Sequence, residues 1–143
     1  MSTITSANGV ITASVEGLFP SPVTLEGWAV DDAFALDEVT LAEAKIGVDG
    51  MAAYGYVPTL SPFTIRLLAN SPSLYFFEEI VNQTMGLGEV FIINLTVYLP
   101  SVGKRYVFSN GTLLSGKLMP DGKKTLADQD FKMTFGSITS YLI

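Results

Sequence analysis

The sequence predicts a single mostly β domain, an antiparallel sandwich or barrel carrying one α-helix, and three observations lead there. Apolar residues alternate with polar ones along most of the chain, whereas helical spacing recurs in one stretch only. Glycine and proline, 13 and 7 of them, punctuate the chain at intervals that suit short strands. The length, 143 residues, suits one core, so 1–143 is read as one domain.

The elements follow in order. Val10 to Val15 opens the series, and Val23, Leu25 and Gly27 interleave with Thr24, Glu26 and Trp28 in a second strand after a break at Pro20-Ser21-Pro22. An acidic, turn-like stretch from Asp31 to Glu38 comes next. Asp49-Gly50 between Val48 and Met51 reads as a two-residue hairpin turn, which predicts a long hairpin over about 39–57. Pairing 48 with 51 places Ala42, Ala44, Ile46, Val48, Met51 and Ala53 on one apolar face, with Glu43, Lys45, Tyr54 and Tyr56 on the other. A two-stranded hairpin is unstable alone, so that face needs a cover, and its length favours a neighbouring subunit.

Phe63 to Ala69 reads as a strand. Ser71-Pro72 then supplies a capping hydroxyl and a proline for the first helical position, with Leu74, Phe77, Ile80 and Val81 on one face, predicting a helix over about 72–85 that stops at Gly86-Leu87-Gly88. Val90 to Leu99 reads as a central strand. Asn110-Gly111 reads as a second hairpin turn joining 104–109 to 112–117, Asp121-Gly122 as a further turn, and Phe131, Met133 and Phe135 mark the last clear strand.

Composition narrows the function. Charged residues make up only 15% while hydrophobic residues make up 48%, against a typical charged quarter. With a mean hydropathy of +0.40, a lone subunit exposes much apolar area, which points to an assembly. Neither histidine nor cysteine is present, so the usual general base, thiol nucleophile and soft metal ligands are missing and no cofactor or metal is expected. The first residues have neither a basic nor an apolar signal region, and the longest charge-free stretch, Gly50 to Ile65, is broken by Pro58 and Pro62. Synthesis in a cytoplasm and no membrane span are therefore expected, and the Asn-x-Thr triplets at Asn82, Asn94 and Asn110 carry no meaning there.

Carboxylates are the remaining candidates for chemistry. Asp31/Asp32 and Asp37/Glu38 are chain neighbours that point to opposite faces, so turn acids explain them better than a hydrolase does. Asp128-Gln129-Asp130 lacks the glycine and distal glutamate of a calcium loop. Trp28 with Tyr54 and Tyr56 would make a sugar-stacking platform, against which stands ordinary cross-strand packing. Charge placement says more: residues 1–71 hold eight acids and two bases, net −6, and residues 72–143 hold six of each, net zero. No basic patch fits tight nucleic-acid binding.

The layout resembles the tail tube proteins of contractile-tailed bacteriophages. The likeness rests on the start at Ser2-Thr3-Ile4-Thr5, the early long hairpin, the single mid-chain helix, and the run from Tyr106-Val107-Phe108-Ser109-Asn110-Gly111 into Gly116-Lys117-Leu118-Met119-Pro120-Asp121-Gly122. The resemblance spans nearly the whole chain. It implies a non-enzymatic virion protein whose β-sandwich packs beside one helix, six copies closing a ring and the rings stacking into a tube for DNA ejection. Implied partners are other copies of the chain, sheath, tape-measure, baseplate and tail-terminator proteins, with DNA as passing cargo and no membrane. Asp31, Asp32, Asp37, Glu38, Glu43 and Asp49 are the candidate acids for the channel wall, and Ala42, Ala44, Ile46, Val48, Met51 and Ala53 the candidate inter-subunit contact. The alternative is a small β-sandwich binding module of a phage fibre or baseplate, taking a carbohydrate or a protein.

Overall fold

The computed structural model describes residues 9–28 and 33–142. Asp31 and Asp32, and the opening Ser2-Thr3-Ile4-Thr5, lie outside the described residues. The elements run β1 (Val10–Val15), β2 (Phe19–Leu25), β3 (Phe34–Leu36), β4 (Ala42–Ile46), β5 (Ala52–Tyr56), β6 (Ser61–Leu67), α1 (Leu74–Leu87), β7 (Ile93–Leu99), β8 (Lys104–Gly116) and β9 (Gln129–Leu142). Seven strands form one antiparallel sheet in the order β2-β1-β7-β8-β9-β6-β3, and β4 with β5 makes a separate two-stranded sheet. The expected fold class, mostly β with one helix, is the one observed.

Alternation is what makes this sheet one-sided. In β1, β6 and β7 every second residue is buried, and Ile11, Val15, Ile65, Leu67, Ile93 and Leu95 meet in one core. The predicted central strand is central: β7 lies between β1 and β8. Beyond the seven strands, Leu68 N donates to Gly27 O at 2.8 Å and Trp28 bridges Leu67, which ties the chain leaving β2 to β6 and curls the sheet back towards itself.

The helix seals the core. Phe77 stacks on Phe131 of β9 with ring centroids 4.4 Å apart, and Phe76 meets Phe19 of β2 at 4.9 Å. Its start differs from the expected one. Ser71 does not cap the helix: its Oγ accepts from Ser73 N at 3.2 Å and donates to the carbonyl of Glu26, while Ser73 Oγ accepts from Glu26 N at 2.7 Å. The two serines thus fasten the helix entry to the end of β2, and helical geometry begins at Leu74. The glycine stop holds: Gly88, at φ 69°, donates to Thr84 O at 2.9 Å.

Two further expectations are corrected. Pro20 and Pro22 do not break a strand; they sit inside β2, at the sheet's edge, where a missing N–H costs no ladder bond on the open side. Asn110-Gly111 is not a turn but a bulge within the uninterrupted β8, because both halves of β8 pair with β9. Asn110 takes the left-handed conformation at φ 57°, and a Cβ on Gly111 would lie 2.2 Å from Phe135 Cδ1 and 2.6 Å from Thr134 O.

The last strand is far longer than the Phe131 to Phe135 alternation suggests. β6 runs beside β9 only as far as the Ser61–Phe135 pair. From Gly136 to Leu142, β9 therefore has β8 on one side and, among the described residues, no strand on the other.

Candidate assembly interface

The excursion between β3 and β6 builds an arm that stands off the main sheet. β4 and β5 pair from Ala42–Tyr56 to Ile46–Ala52, and Val57 N donates to Leu41 O at 3.1 Å at the root. Every residue from Leu41 to Tyr56 is exposed, Ile46, Tyr54 and Tyr56 by 76%, 78% and 81%. Isolated apolar residues on a surface are ordinary, but a whole two-stranded element without a covered face is not.

The register differs by one residue from the expected one. Gly47 N donates to Met51 O and Gly50 N to Gly47 O, both at 2.9 Å, and Gly50 sits at φ 82°. The loop is thus three residues, Val48-Asp49-Gly50, with glycine at the left-handed position rather than a two-residue turn. Asp49 Oδ1 accepts from Met51 N at 3.1 Å, so its carboxylate holds the turn's exit. One added loop residue turns one strand over relative to the other. Ala42, Ala44 and Ile46 therefore share their face with Ala52, Tyr54 and Tyr56, while Met51 and Ala53 fall beside Glu43 and Lys45, and Val48 lies in the loop. The face keeps its apolar character and gains two aromatic rings.

The described candidate acids are strung along this arm. Asp37 and Glu38 lie at the root, where Asp37 N donates to Pro62 O at 3.0 Å; Glu43 lies on the shaft and Asp49 at the tip, all exposed. They do not converge: among the described residues no group of three or more His, Cys, Asp or Glu side chains is placed to hold a metal. Asp130 is held by Arg66 at 2.7 Å rather than aimed at Asp128 as a calcium pair. Trp28 does not join Tyr54 and Tyr56 in a platform; its ring packs edge-on against Phe34 at 5.4 Å and its Nε1 donates to Leu25 O at 3.1 Å. The sugar-stacking platform of the alternative reading is therefore not assembled within one subunit.

Two surface features escaped the sequence reading. An open apolar hollow of about 290 Å³ lies beside β3, walled by Phe34, Leu36, Phe63, Leu99, Tyr106 and others. The second is the bare edge of β9, whose only signal is the uncharged, partly β-branched run Gly136-Ser137-Ile138-Thr139-Ser140-Tyr141-Leu142. Among the described residues no helix is long and apolar enough to cross a membrane.

A family model described as tail fiber protein gp32 matches residues 2–139. The chain belongs to that family. No curated protein matches it. Among solved structures, this gp32 family member is similar to a chain of the tube-terminating cap of the anti-feeding prophage, 13% identical over 100% of this chain and 93% of that one, with a TM-score of 0.63. It is also similar to a chain of the sheath-tube complex of a PVC extracellular contractile injection system in the extended state, 14% identical over 93% and 88%, TM-score 0.59. A chain of the anti-feeding prophage baseplate is 12% identical over 99% and 97%, with a TM-score of 0.58. This family member thus has a fold found in contractile injection particles, which is the class of fold that the tail-tube resemblance implies.

Proposed function

We propose that this chain is a structural subunit that associates with copies of itself into rings, and that the rings stack into the tube of a contractile tail. The exposed arm is the observation that carries this reading. A two-stranded element with an apolar, tyrosine-bearing face of Ala42, Ala44, Ile46, Ala52, Tyr54 and Tyr56 has no cover within its own subunit, and a second subunit provides one. The fold shared with chains of tube, cap and baseplate assemblies supports the same reading. Six copies per ring, virion location, partnership with sheath, tape-measure, baseplate and terminator proteins, a non-catalytic role and an acid-lined path for DNA belong to the proposal.

The test is assembly of purified protein, read by light scattering and negative-stain microscopy, with Ile46→Asp as the probe. The parent chain is expected to give rings or tubes. Ile46→Asp, which would bury a carboxylate without a partner at a cost of several kcal/mol, is expected to remain folded and monomeric. Normal rings from Ile46→Asp would remove the arm from the interface. A second reading, a component of a fibre or baseplate, draws on the family's description as tail fiber protein. It predicts discrete oligomers that do not stack, and so the same micrographs separate the two.

A further inference from the structure

We infer that the arm of one copy adds to the bare edge of β9 in the next, so that the main sheet continues across the subunit boundary. This rests on the self-assembly reading above and names the surface that receives the arm. An exposed sheet edge offers a row of unpaired N–H and C=O groups, and proteins normally blunt it with proline, charge, a bulge or short length. The ends of this sheet follow that rule: β2 carries Pro20 and Pro22, and β3 is three residues long. The β9 edge does not. Gly136 to Leu142 has no charge and no proline, and is seven residues of continuous strand. The arm shows the same deficit from the other side, because among the described residues its two strands pair with each other alone and both outer edges are open. A third strand is what such a pair needs for stability.

Charge selects the arm over the chain's other open segment. The far side of β8 is also bare among the described residues from Thr112 to Gly116, past the Ile93–Gly111 pair where β7 begins, and it runs into Lys117, which is paired with Asp121 at 2.7 Å. The β9 edge ends beside Lys104 and Arg105, which pair with Leu142 and Tyr141 across the ladder and form no ion pair among the described residues. The arm carries Asp37, Glu38, Glu43 and Asp49 against a single Lys45. An acidic arm against this basic corner is attractive, whereas the β8 segment, which carries no acid and ends at an already paired lysine, brings it no such attraction. The contact joins two different surfaces, so it propagates from copy to copy and closes only as a ring.

The absence of cysteine makes the contact directly testable. Ala44→Cys in β4 and Ala53→Cys in β5 are each combined with Thr139→Cys or Ser140→Cys, which sample both faces of β9, and the assembled protein is oxidised with copper phenanthroline. At least one combination is expected to give a ladder of covalent multimers on non-reducing gels, at least tenfold above any of its single variants. Four results overturn the inference while leaving self-assembly standing: tubes without cross-links, dimers from Thr139→Cys or Ser140→Cys alone, arm cross-links confined to a Leu114→Cys variant on β8, or cross-links that persist at equal yield in monomeric Ile46→Asp. A parent chain that stays monomeric overturns both.

Discussion

At Gly111 the space for a side chain is already filled. The Phe135 ring and the Thr134 carbonyl both stand where a Cβ would be, and the carbonyl, being backbone of a paired strand, cannot turn aside. Gly111→Ala is therefore expected to cost about 3 kcal/mol, read as a lowered urea midpoint at unchanged slope. A neutral Gly111→Ala would mean that the bulge relaxes freely. Asp121 gives a pH prediction of defined sign. The hydrogen bond from Lys117 Nζ, 2.7 Å away, and then the Lys117 charge itself hold its carboxyl below the usual aspartate range. A depressed folded-state value means that the stabilisation is present above the unfolded pKa and disappears as pH falls through the folded one. The pair is exposed, so the effect on stability is small and the carboxyl's own titration is the better readout. In carbon-detected NMR, Asp121 is expected to titrate below the usual aspartate range, and Lys117→Gln to move its titration upward.

At the scale of elements, the arm behaves as an appendage whose removal leaves the core intact. Replacing residues 42–56 by a short Gly-Ser link is expected to shift the melting temperature of the subunit by no more than a few degrees and to abolish rings; loss of cooperative unfolding would instead place the arm within the core. The sequence showed this element because its flanks alternate and Asp49-Gly50 marks its tip. It did not show the loop length, since the same dipeptide serves a two-residue turn or the last two places of a three-residue loop. That single residue decided which side chains travel with Ile46. Asn110-Gly111 failed for a different reason. Local chemistry asks only for positive φ, and whether the chain then reverses or merely bulges depends on β9, which begins only at Gln129. Pro20 and Pro22 misled likewise, because an edge position is a property of the whole sheet and not of the strand. Strands with alternation on a buried face were legible as elements: β1 with its bounds, β6 although it starts at Ser61 rather than Phe63 and ends at Leu67, and β7 although it starts at Ile93 rather than Val90.

For the whole molecule, the asymmetry of charge becomes a prediction about the assembled particle. The first half of the chain carries the entire net −6, and of its described acids Asp37, Glu38, Glu43 and Asp49 lie along the arm, with Glu16 and Glu26 beside β1 and β2. An acidic wall repels phosphates and lets a duplex slide, where a basic one would retain it through counterion release. A cryo-EM structure of the tube is expected to place at least two of Asp37, Glu38, Glu43 and Asp49 on the channel wall; a neutral or basic wall, or acids drawn mainly from beyond Ser71, would contradict it. The strand order also governs how the subunit is made. β1 waits for β7, β6 waits for β9, and the bridge from Trp28 reaches only to Leu67. A nascent chain that has just completed β6 can pair β1 with β2 and β3 with β6 but lacks β7, β8 and β9, which join those two pairs into one sheet, so the core is complete only once Gln129 to Leu142 has left the ribosome. β9 completes both the core and the bare edge, so a chain that has not yet made Gln129 to Leu142 has no such edge to offer another copy.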